Sequence, residues 1–481
     1  MKRRNLVLAL GALLLPLAIA ACPASLDEAS GAPATVAGGA AKPGRSTGSS
    51  SATTDGRSAQ PAAAPSPFDG HFGINGIHYP SLREGVDRIH ARSRELEELG
   101  PIWLRHPGRD TGWHEIQSQR GGAYEWTKLD AIINDTDYPW VMEIYGAVGT
   151  IYPFREKMGR DNLDKSGDKR DVYKKVKENS VNFDDTTERA DAETYVKDFV
   201  NRYKARVRVW EVGNEGINSP DRFDTIKHTY GWVKEADPDA LVMITSVAGT
   251  DDKQFYKGID KMDEMLEQGI GDYFDIGNFH YYGRISNDFE GQLEDAYDAY
   301  AGVLAKHGHS KPIWVTETAT SSAGDSELSG PSTEATQARH MVKRMVVFSA
   351  KGAEKVMWHG YRSNSSKNRF QGCNLRDPRN DSTKPSFRTL KLLIDKIGYY
   401  ESVQTVMSDG TWLYRFTNPG GGVVLVAWSN DPVKLDLSEH LGSSDALVTH
   451  TIEDASPNAS AEQVKANKVS VSASPIFVEA S

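Results

Sequence analysis

Two glutamates of this chain stand directly after short apolar segments, at points where strands are expected to end. Glu215 closes V-W-E-V-G-N-E (209–215), and Glu317 closes I-W-V-T-E (313–317). Two carboxylates that face one cavity supply what the cleavage of a glycosidic bond requires: one donates a proton to the leaving oxygen, and the other attacks the anomeric carbon or activates water. A carboxyl buried behind an apolar strand is desolvated, which raises its pKa toward the range of a general acid. The alternative for each glutamate is a structural ion pair with an arginine.

Further polar and aromatic side chains lie in or after other apolar segments. Arg105 ends I-W-L-R (102–105), where a guanidinium could keep a nucleophilic carboxylate ionised or form an ordinary ion pair at the rim. Trp358 lies in K-V-M-W-H-G (355–360), and its indole could stack on the apolar face of a sugar or seal the core. Glu211 is expected to form a buried ion pair. Weaker candidates for contacts at the rim are His78, His106, Trp113 and Tyr361.

Short apolar segments alternate, from residue 72 onward, with stretches whose apolar residues recur at helical spacing. Strands are expected at 72–78, 102–106, 140–146, 207–213, 240–246, 273–280, 313–317 and 355–360. Short apolar strands separated by helices favour a parallel sheet that is covered on both faces. Eight such units within residues 68–398 predict a (β/α)8 barrel. An open doubly wound sheet is the alternative, although the first segment is not followed by the G-x-G-x-x-G loop typical of that fold.

The residues that follow a helix expected at Ser386–Ile397 have a different pattern. Between 402 and 478, six short segments of alternating apolar residues are separated by turn signals such as N-P-G-G-G (418–422). This spacing predicts a small antiparallel β-sandwich over residues 399–481. Its expected role is to stabilise the barrel by packing against it, and independent carbohydrate binding is the alternative.

The N-terminus has the features of an export signal. A basic K-R-R (2–4) precedes an apolar run that ends in I-A-A-C at Cys22, and the run is shorter than the ~20 residues of a bilayer span. The ending resembles a bacterial lipobox, so residues 1–22 are expected to be a lipoprotein signal peptide with Cys22 as the lipidated residue. An ordinary cleaved signal is the alternative. Residues 23–67, rich in Ala, Gly, Ser and Pro, are expected to form a disordered linker.

These features predict an exported protein of the bacterial cell envelope, at the outer membrane or cell surface, or alternatively a secreted one. Its membrane contact is expected only through the N-terminal lipid anchor. The 481 residues include 56 Lys and Arg against 66 Asp and Glu, a net charge of −10, which disfavours nucleic acid as a partner. Two cysteines exclude a disulfide scaffold and a thiolate metal cluster.

Several reaction classes lack their motifs in this sequence. It contains no H-E-x-x-H and no G-x-x-x-x-G-K-[ST], and its one G-x-S-x-G match, G-R-S-T-G (44–48), lies in the expected linker and not after a strand, where a nucleophilic serine of this motif would stand. No metal or other cofactor is therefore expected. An oligosaccharide or polysaccharide is the expected binding partner, and no protein partner is implied.

The order of the motifs resembles that of retaining glycoside hydrolases of clan A. N-E after a W-E-V-G strand is followed, further along, by a second glutamate after P-I-W-V-T. Y-E-W-T-K-L-D-A-I-I (124–133) is similar to family 39 and its relatives, which include β-xylosidases, α-L-iduronidases and exopolysaccharide-cleaving endoglycosidases. The resemblance implies that Glu215 is the general acid/base and Glu317 the nucleophile. Retaining geometry would then place their carboxyls ~5–5.5 Å apart, against ~6.5–9.5 Å in inverting enzymes.

The same resemblance implies roles for three further residues. Asn214 matches the clan's strand-four asparagine, which hydrogen-bonds the sugar 2-hydroxyl. His280 and Tyr282, in F-H-Y-Y (279–282), match the clan's H-x-Y, in which the tyrosine donates to the nucleophile and the histidine contacts the acid/base or the substrate. A histidine satisfied within the core is the alternative for His280.

The leading functional hypothesis is a surface-tethered retaining glycosidase that acts on an extracellular glycan by double displacement. The alternatives are a non-catalytic polysaccharide-binding lipoprotein and a transglycosylase that remodels an exopolysaccharide. Intact Glu215 and Glu317 disfavour the first alternative, because a binding protein does not need both.

Overall fold

The described part of the chain begins just before the first strand. The computed structural model describes residues 66–105, 112–145, 152–154, 180–217, 222–249, 251–326, 330–362, 370–377 and 379–481. The expected signal peptide, Cys22 and the linker up to residue 65 lie outside these ranges. None of the helices within the ranges is both long and apolar enough to cross a bilayer.

Parallel strands form one large sheet. In chain order its strands are β1 (Phe72–Asn75), β2 (Trp103–Arg105), β3 (Trp140–Glu143), β4 (Val207–Glu211), β5 (Leu241–Met243), β6 (Val247–Gly249), β7 (Gly277–Tyr281), β8 (Ile313–Thr318) and β11 (Lys355–His359). Between β8 and β11, a separate short antiparallel hairpin is formed by β9 (Gly324–Ser326) and β10 (Gly330–Ser332). The order in the sheet is β5-β4-β3-β2-β1-β11-β8-β7-β6.

The sheet closes because β5 and β6 are two pieces of one strand position. Between them, Ile244 N donates to Ile276 O at 3.1 Å, and Ser246 N donates to Asn214 O at 3.0 Å, so the same segment bonds to both of its neighbours. The nine strands therefore fill eight positions around a closed barrel. This confirms the predicted (β/α)8 fold and excludes the open sheet.

Helices cover the outside of the barrel. They are α1 (Val86–Glu97), α2 (Trp113–Ile116), α3 (Thr127–Ile133), α4 (Thr186–Tyr203), α5 (Arg222–Ala236), α6 (Asp252–Glu267), α7 (Phe289–Lys306), α8 (Glu334–Lys351) and α9 (Pro385–Ile397). Asp185 caps α4 by accepting from the backbone N–H of Thr187, and Thr333 caps α8 in the same way. Gly352 ends α8 with a φ of 109°, a conformation that favours glycine.

The barrel interior has an apolar layer below a polar one. The apolar layer is formed by Trp103, Val141, Val209, Met243, Ile276, Trp314 and Met357. Because side chains alternate along a strand, the residues two positions further on point into the same interior, nearer the carboxyl ends of the strands. These residues are Arg105, Glu143, Glu211, Thr245, Asn278, Thr316 and His359. The sequence of the strands therefore forms an apolar floor and places the polar groups nearer the mouth of the barrel.

The C-terminal part consists of antiparallel strands. They are β12 (Ser402–Ser408), β13 (Thr411–Thr417), β14 (Val423–Ser429), β15 (Val433–Leu435), β16 (Asp445–His450), β17 (Ala461–Lys465), β18 (Val469–Val471) and β19 (Ile476–Ala480), with the short helix α10 (Ser438–Leu441) after β15. Six strands form one sheet in the order β12-β13-β14-β19-β16-β17, and β15 pairs with β18. The predicted sandwich is confirmed. The two strands that the sequence did not indicate, β12 and β17, are edge strands whose mostly exposed side chains lack an apolar alternation.

The larger C-terminal sheet packs on the barrel helices α7 and α8. Glu290 of α7 is buried, and its Oε1 accepts from Lys343 Nζ of α8 at 2.7 Å and from Trp428 Nε1 of β14 at 2.8 Å. A buried carboxylate is retained at such a contact only when it is paired and hydrogen-bonded, as Glu290 is.

Candidate active site

A β-bulge in β8 determines where Glu317 points. Along β7, Phe279 pairs with Val315 but the next residue, His280, pairs with Glu317, so β8 contains one extra residue. A bulge locally breaks the alternation of side chains. As a result, the consecutive residues Thr316 and Glu317 both face the barrel interior, where Thr316 donates to Asn278 Oδ1 at 2.6 Å.

Glu317 is held by donors from three sides. Its Oε1 accepts from Asn75 Nδ2 at 2.6 Å and from Arg105 Nη1 at 2.9 Å, and its Oε2 accepts from the Tyr282 hydroxyl at 2.6 Å. Its side chain is 8% exposed. Burial would by itself raise the pKa of this carboxyl, but the imidazoles of His280 and His359, the Arg105 guanidinium and the Tyr282 hydroxyl outweigh burial and hold the pKa well below its usual range. Glu317 is therefore an ionised carboxylate.

Glu215 lies in a more open environment. It follows β4 and forms a single parallel bridge with Ser246, and its Oε1 lies 3.0 Å from His280 Nδ1. Its side chain is 43% exposed. The expectation that this carboxyl is desolvated is therefore wrong for Glu215. The physical reason is that the residue stands beyond the last residue of the strand, at the mouth, rather than within the apolar wall.

The two glutamates come together at the mouth. One carboxylate oxygen of Glu215, one of Glu317 and one ring nitrogen of His280 all lie within 4.8 Å of one another. Three such donor atoms are also a set that could hold a metal ion. Both oxygens of Glu317, however, already accept hydrogen bonds from Arg105, Tyr282 and Asn75, so the arrangement suits a hydrogen-bonded anion better than a ligand to a cation.

Arg105 connects Glu317 to the polar layer behind it. Its Nε and Nη2 donate to the two oxygens of Glu211 at 2.7 and 2.9 Å, and Nη2 also donates to Asn214 Oδ1 at 2.8 Å and lies 2.9 Å from Glu143 Oε1. Burial would lower the pKa of the guanidinium, but Glu211 and Glu143 outweigh it and raise the pKa. Arg105 is fully buried, so it is no rim ion pair. The buried ion pair expected for Glu211 is confirmed.

The two carboxyls behind Glu317 differ from it electrostatically. Burial raises the pKa of Glu143 well above its usual value, and it also raises the pKa of Glu211, although Arg105 opposes both shifts. One guanidinium thus faces three buried carboxyls, an arrangement whose desolvation cost is lowered when one of them keeps its proton.

His280 and Tyr282 lie where the resemblance implied. His280 is fully buried and lies between the two glutamates, with its Nδ1 3.0 Å from Glu215 and 3.6 Å from Glu317. Its other nitrogen, Nε2, lies 3.0 Å from Thr316 Oγ1. Burial raises the pKa of Tyr282 well above its usual value, so its hydroxyl keeps the hydrogen that it donates to Glu317.

Trp358 is placed away from this cavity. Its neighbour Met357 belongs to the apolar floor of the barrel, so Trp358 faces the helices, where it is fully buried and its Nε1 donates to Cys373 O at 2.9 Å. This corrects the platform interpretation and favours the expected alternative, a core tryptophan. Trp113 and Tyr361 are also buried and do not serve as rim contacts, while His106 lies outside the described residues.

Two residues of the site were not singled out by the sequence. Asn75, in G-I-N-G, donates to Glu317, and His359 brings its Nδ1 to 3.5 Å from Glu317 Oε2. Burial lowers the pKa of His359. The available signal was the alternation on β11: if Met357 lies inside, His359 does as well.

Comparisons with known proteins agree with this architecture. A family model described as the glycosyl hydrolase catalytic core matches residues 231–384, a range that contains His280, Tyr282 and Glu317. A family 39 glycoside hydrolase from Bacteroides cellulosilyticus WH2 superposes with a TM-score of 0.59 at 12% identity, covering 86% of this chain and 82% of that one. No curated protein matches the sequence.

A second solved structure, a glucosidase from Croceicoccus marinus, superposes with a TM-score of 0.55 at 11% identity, covering 85% of this chain and 95% of that one. At these identities the two structures show a shared fold. The matched catalytic core shows that the chain is a glycosidase, and its fold resembles that of the clan A glycoside hydrolases, as in the family 39 structure.

Proposed function

We propose that the protein is a retaining glycosidase that cleaves an extracellular glycan or polysaccharide by double displacement. The observation that carries the proposal is the approach of a Glu215 oxygen to within 4.8 Å of a Glu317 oxygen. Retaining enzymes keep their two carboxyls ~5–5.5 Å apart, whereas inverting enzymes need ~6.5–9.5 Å for a water between them. The short separation supports direct attack by one carboxylate.

In the first half-reaction, Glu317 is the nucleophile and Glu215 the acid. Glu317 attacks the anomeric carbon as the bond to the leaving oxygen breaks, and the Glu215 proton goes to that oxygen. The low pKa of Glu317 keeps it ionised for this step. The three hydrogen bonds to its oxygens fix the direction of attack, which reduces the ordering required at the transition state.

In the second half-reaction, Glu215 acts as the base. A water attacks the anomeric carbon, its proton goes to Glu215, and the bond to Glu317 breaks. The exposed side chain of Glu215 gives that water access. Asn214 uses Oδ1 to accept from Arg105, which directs its NH2 away from the guanidinium and makes it available to a sugar 2-hydroxyl.

The test is the variant Glu317→Ala assayed with aryl glycosides and azide. We expect turnover to be lost with the fold intact, and azide to restore product as a glycosyl azide of inverted anomeric configuration. Glu98→Ala, at the exposed end of α1, is the control and should behave as the wild type. Full activity of Glu317→Ala without azide would contradict the assignment.

We also propose export and lipid anchoring through Cys22. The basic segment, the apolar run and the I-A-A-C ending support a lipidated N-terminus, followed by a linker that would hold the enzyme away from the membrane. Replacing Cys22 by Ser should move the enzyme from the membrane fraction to the soluble fraction of cells that process lipoproteins. An unchanged membrane fraction would contradict the proposal.

A further inference from the structure

A row of hydrogen bonds crosses the barrel interior and ends at Glu215. Asn278 Nδ2 donates to Glu211 Oε1 at 2.8 Å, and Asn278 Oδ1 accepts from the Thr316 hydroxyl at 2.6 Å. Thr316 Oγ1 then lies 3.0 Å from His280 Nε2, and His280 Nδ1 lies 3.0 Å from Glu215 Oε1. We call these five residues the interior chain.

The donors and acceptors of the interior chain have a defined direction. Both oxygens of Glu211 accept from Arg105, and Oε1 also accepts from Asn278 Nδ2, so Asn278 presents its NH2 to Glu211 and its Oδ1 to Thr316. Thr316 has a single hydrogen, which it gives to Asn278. Towards His280 it can therefore act only as an acceptor, and the nitrogen that meets it, Nε2, carries the hydrogen.

A neutral imidazole with its hydrogen on Nε2 has a lone pair on Nδ1. That lone pair points at Glu215 Oε1 across 3.0 Å, and two acceptors at this distance require a proton between them. The Ser246 hydroxyl, which lies farther from Nδ1 at 3.3 Å, gives its hydrogen to Asn214 O at 2.7 Å. We propose that Asn278 and Thr316 are positioning residues that fix His280 in its Nε2–H form, so that Glu215 meets Nδ1 as a protonated acid. The inference deepens the proposed function and rests on it for the role of Glu215.

This arrangement serves both half-reactions. When the Glu215 proton passes to the leaving oxygen, the resulting carboxylate faces the Nδ1 lone pair of His280, which destabilises the anion. The carboxylate is then a stronger base toward the incoming water, whose proton restores the original hydrogen bond. The other four residues of the interior chain neither gain nor lose a proton during the cycle.

Other titratable groups surround His280 and Glu215. Glu317 faces His280 at 3.6 Å, but its charge is met by Arg105, Asn75 and Tyr282. From the neighbouring strands, the titratable groups that act on His280 or Glu215 are Glu143 of β3, Glu211 of β4, Tyr282 after β7, Glu317 of β8 and His359 of β11.

The direct test is nitrogen NMR of the full chain labelled with ¹⁵N-histidine at pH 7, with the His280 signals identified by their loss in His280→Gln. The wild type should show a neutral His280 protonated at Nε2, and Thr316→Val should shift it toward the Nδ1–H form. An imidazolium, or an Nδ1–H form in the wild type, would overturn the inference. Because no turnover is needed, this result stands apart from the outcome of the glycosidase assays.

Kinetic measurements on variants of Thr316 provide a second test. In Thr316→Val the imidazole can donate from Nδ1 and stabilise the Glu215 anion, so the basic limb of the pH–rate profile should move to lower pH. Substrates with poor leaving groups should lose about tenfold more in kcat/KM than activated aryl glycosides. Thr316→Ser should restore both properties. Thr318→Val is the control, because the buried hydroxyl of Thr318 donates to Tyr281 O, which is not part of the interior chain. The basic limb of the pH–rate profile of this variant should stay in place. Equal losses on both substrate types would overturn the inference.

Discussion

Glu215 and Glu317 face one cavity from opposite sides of the barrel, yet the protein holds them in different ways. Glu317 is 8% exposed and receives hydrogen bonds from Asn75, Arg105 and Tyr282. Glu215 is 43% exposed, and its carboxylate lies against the imidazole of His280. In the proposed mechanism, the carboxylate that must stay ionised and correctly oriented is enclosed by donors, whereas the carboxyl that must lose and regain a proton is left open to water.

Two glutamate side chains of the same chemical type can therefore serve the separate proposed roles because their surroundings differ. A buried anion is tolerated only where several donors replace its hydration, and β8 supplies that place through its bulge. Glu215 avoids the cost by standing beyond the end of β4.

The exposed carboxyl should matter most where proton donation is difficult. We expect Glu215→Ala to lower kcat/KM by about 10⁴-fold for substrates with poor leaving groups, and far less for activated aryl glycosides, since general acid catalysis contributes about 10²–10⁴-fold. Rates measured over a series of leaving groups check this. Equal losses across the series would remove the acid role from Glu215.

The enclosed carboxylate should depend on its guanidinium. Arg105→Met leaves Glu317 and Glu211 without their shared cation, and we expect a loss of about 10³-fold in kcat/KM. Circular dichroism would verify that the variant is folded. Arg208→Met, at the one exposed position of β4, is the matched control and should retain activity. Comparable activities of the two variants would contradict the role of Arg105.

A single donor to Glu317 should have a smaller effect. Asn75→Ala removes one charge-assisted hydrogen bond from Oε1, so the pKa of Glu317 should rise toward its usual range and kcat/KM should fall by about tenfold. The acid limb of the pH–rate profile should move to higher pH, because the nucleophile then protonates more easily. A limb that stays in place would show that Asn75 does not act through the charge of Glu317.

The smallest effect concerns stability and a third carboxyl. Burial raises the pKa of Glu143 in the folded protein, so folding is favoured while this carboxyl is protonated and that contribution is lost as pH rises above its ordinary range. Glu143→Gln keeps a neutral side chain at every pH. We expect it to raise the free energy of unfolding at pH 8 by about 1 kcal/mol relative to its effect at pH 5. A greater gain at pH 5, measured by urea unfolding, would contradict the direction.

Most of the strands and helices can be predicted from the sequence because each is marked by the spacing of apolar residues within its own segment. Each expected barrel strand overlaps an observed one, and the apolar residues at 195–203 and 338–346 lie on the buried sides of α4 and α8. The edge strands β12 and β17 escape such reading because exposed edges carry no apolar alternation.

The identities of the residues at the strand ends, and hence the chemistry open to the barrel, follow from the sequence by itself. Which way those residues face does not. In a strand that is buried on both sides, apolar residues occupy both faces, so M-W-H (357–359) does not reveal that His359 enters the cavity while Trp358 packs behind it. Glu317 likewise faces inward because one extra residue in β8 shifts its register against β7 and β11. Register is a property of the pairing between distant segments, and a shift of one residue moves every side chain that follows to the other face of the sheet.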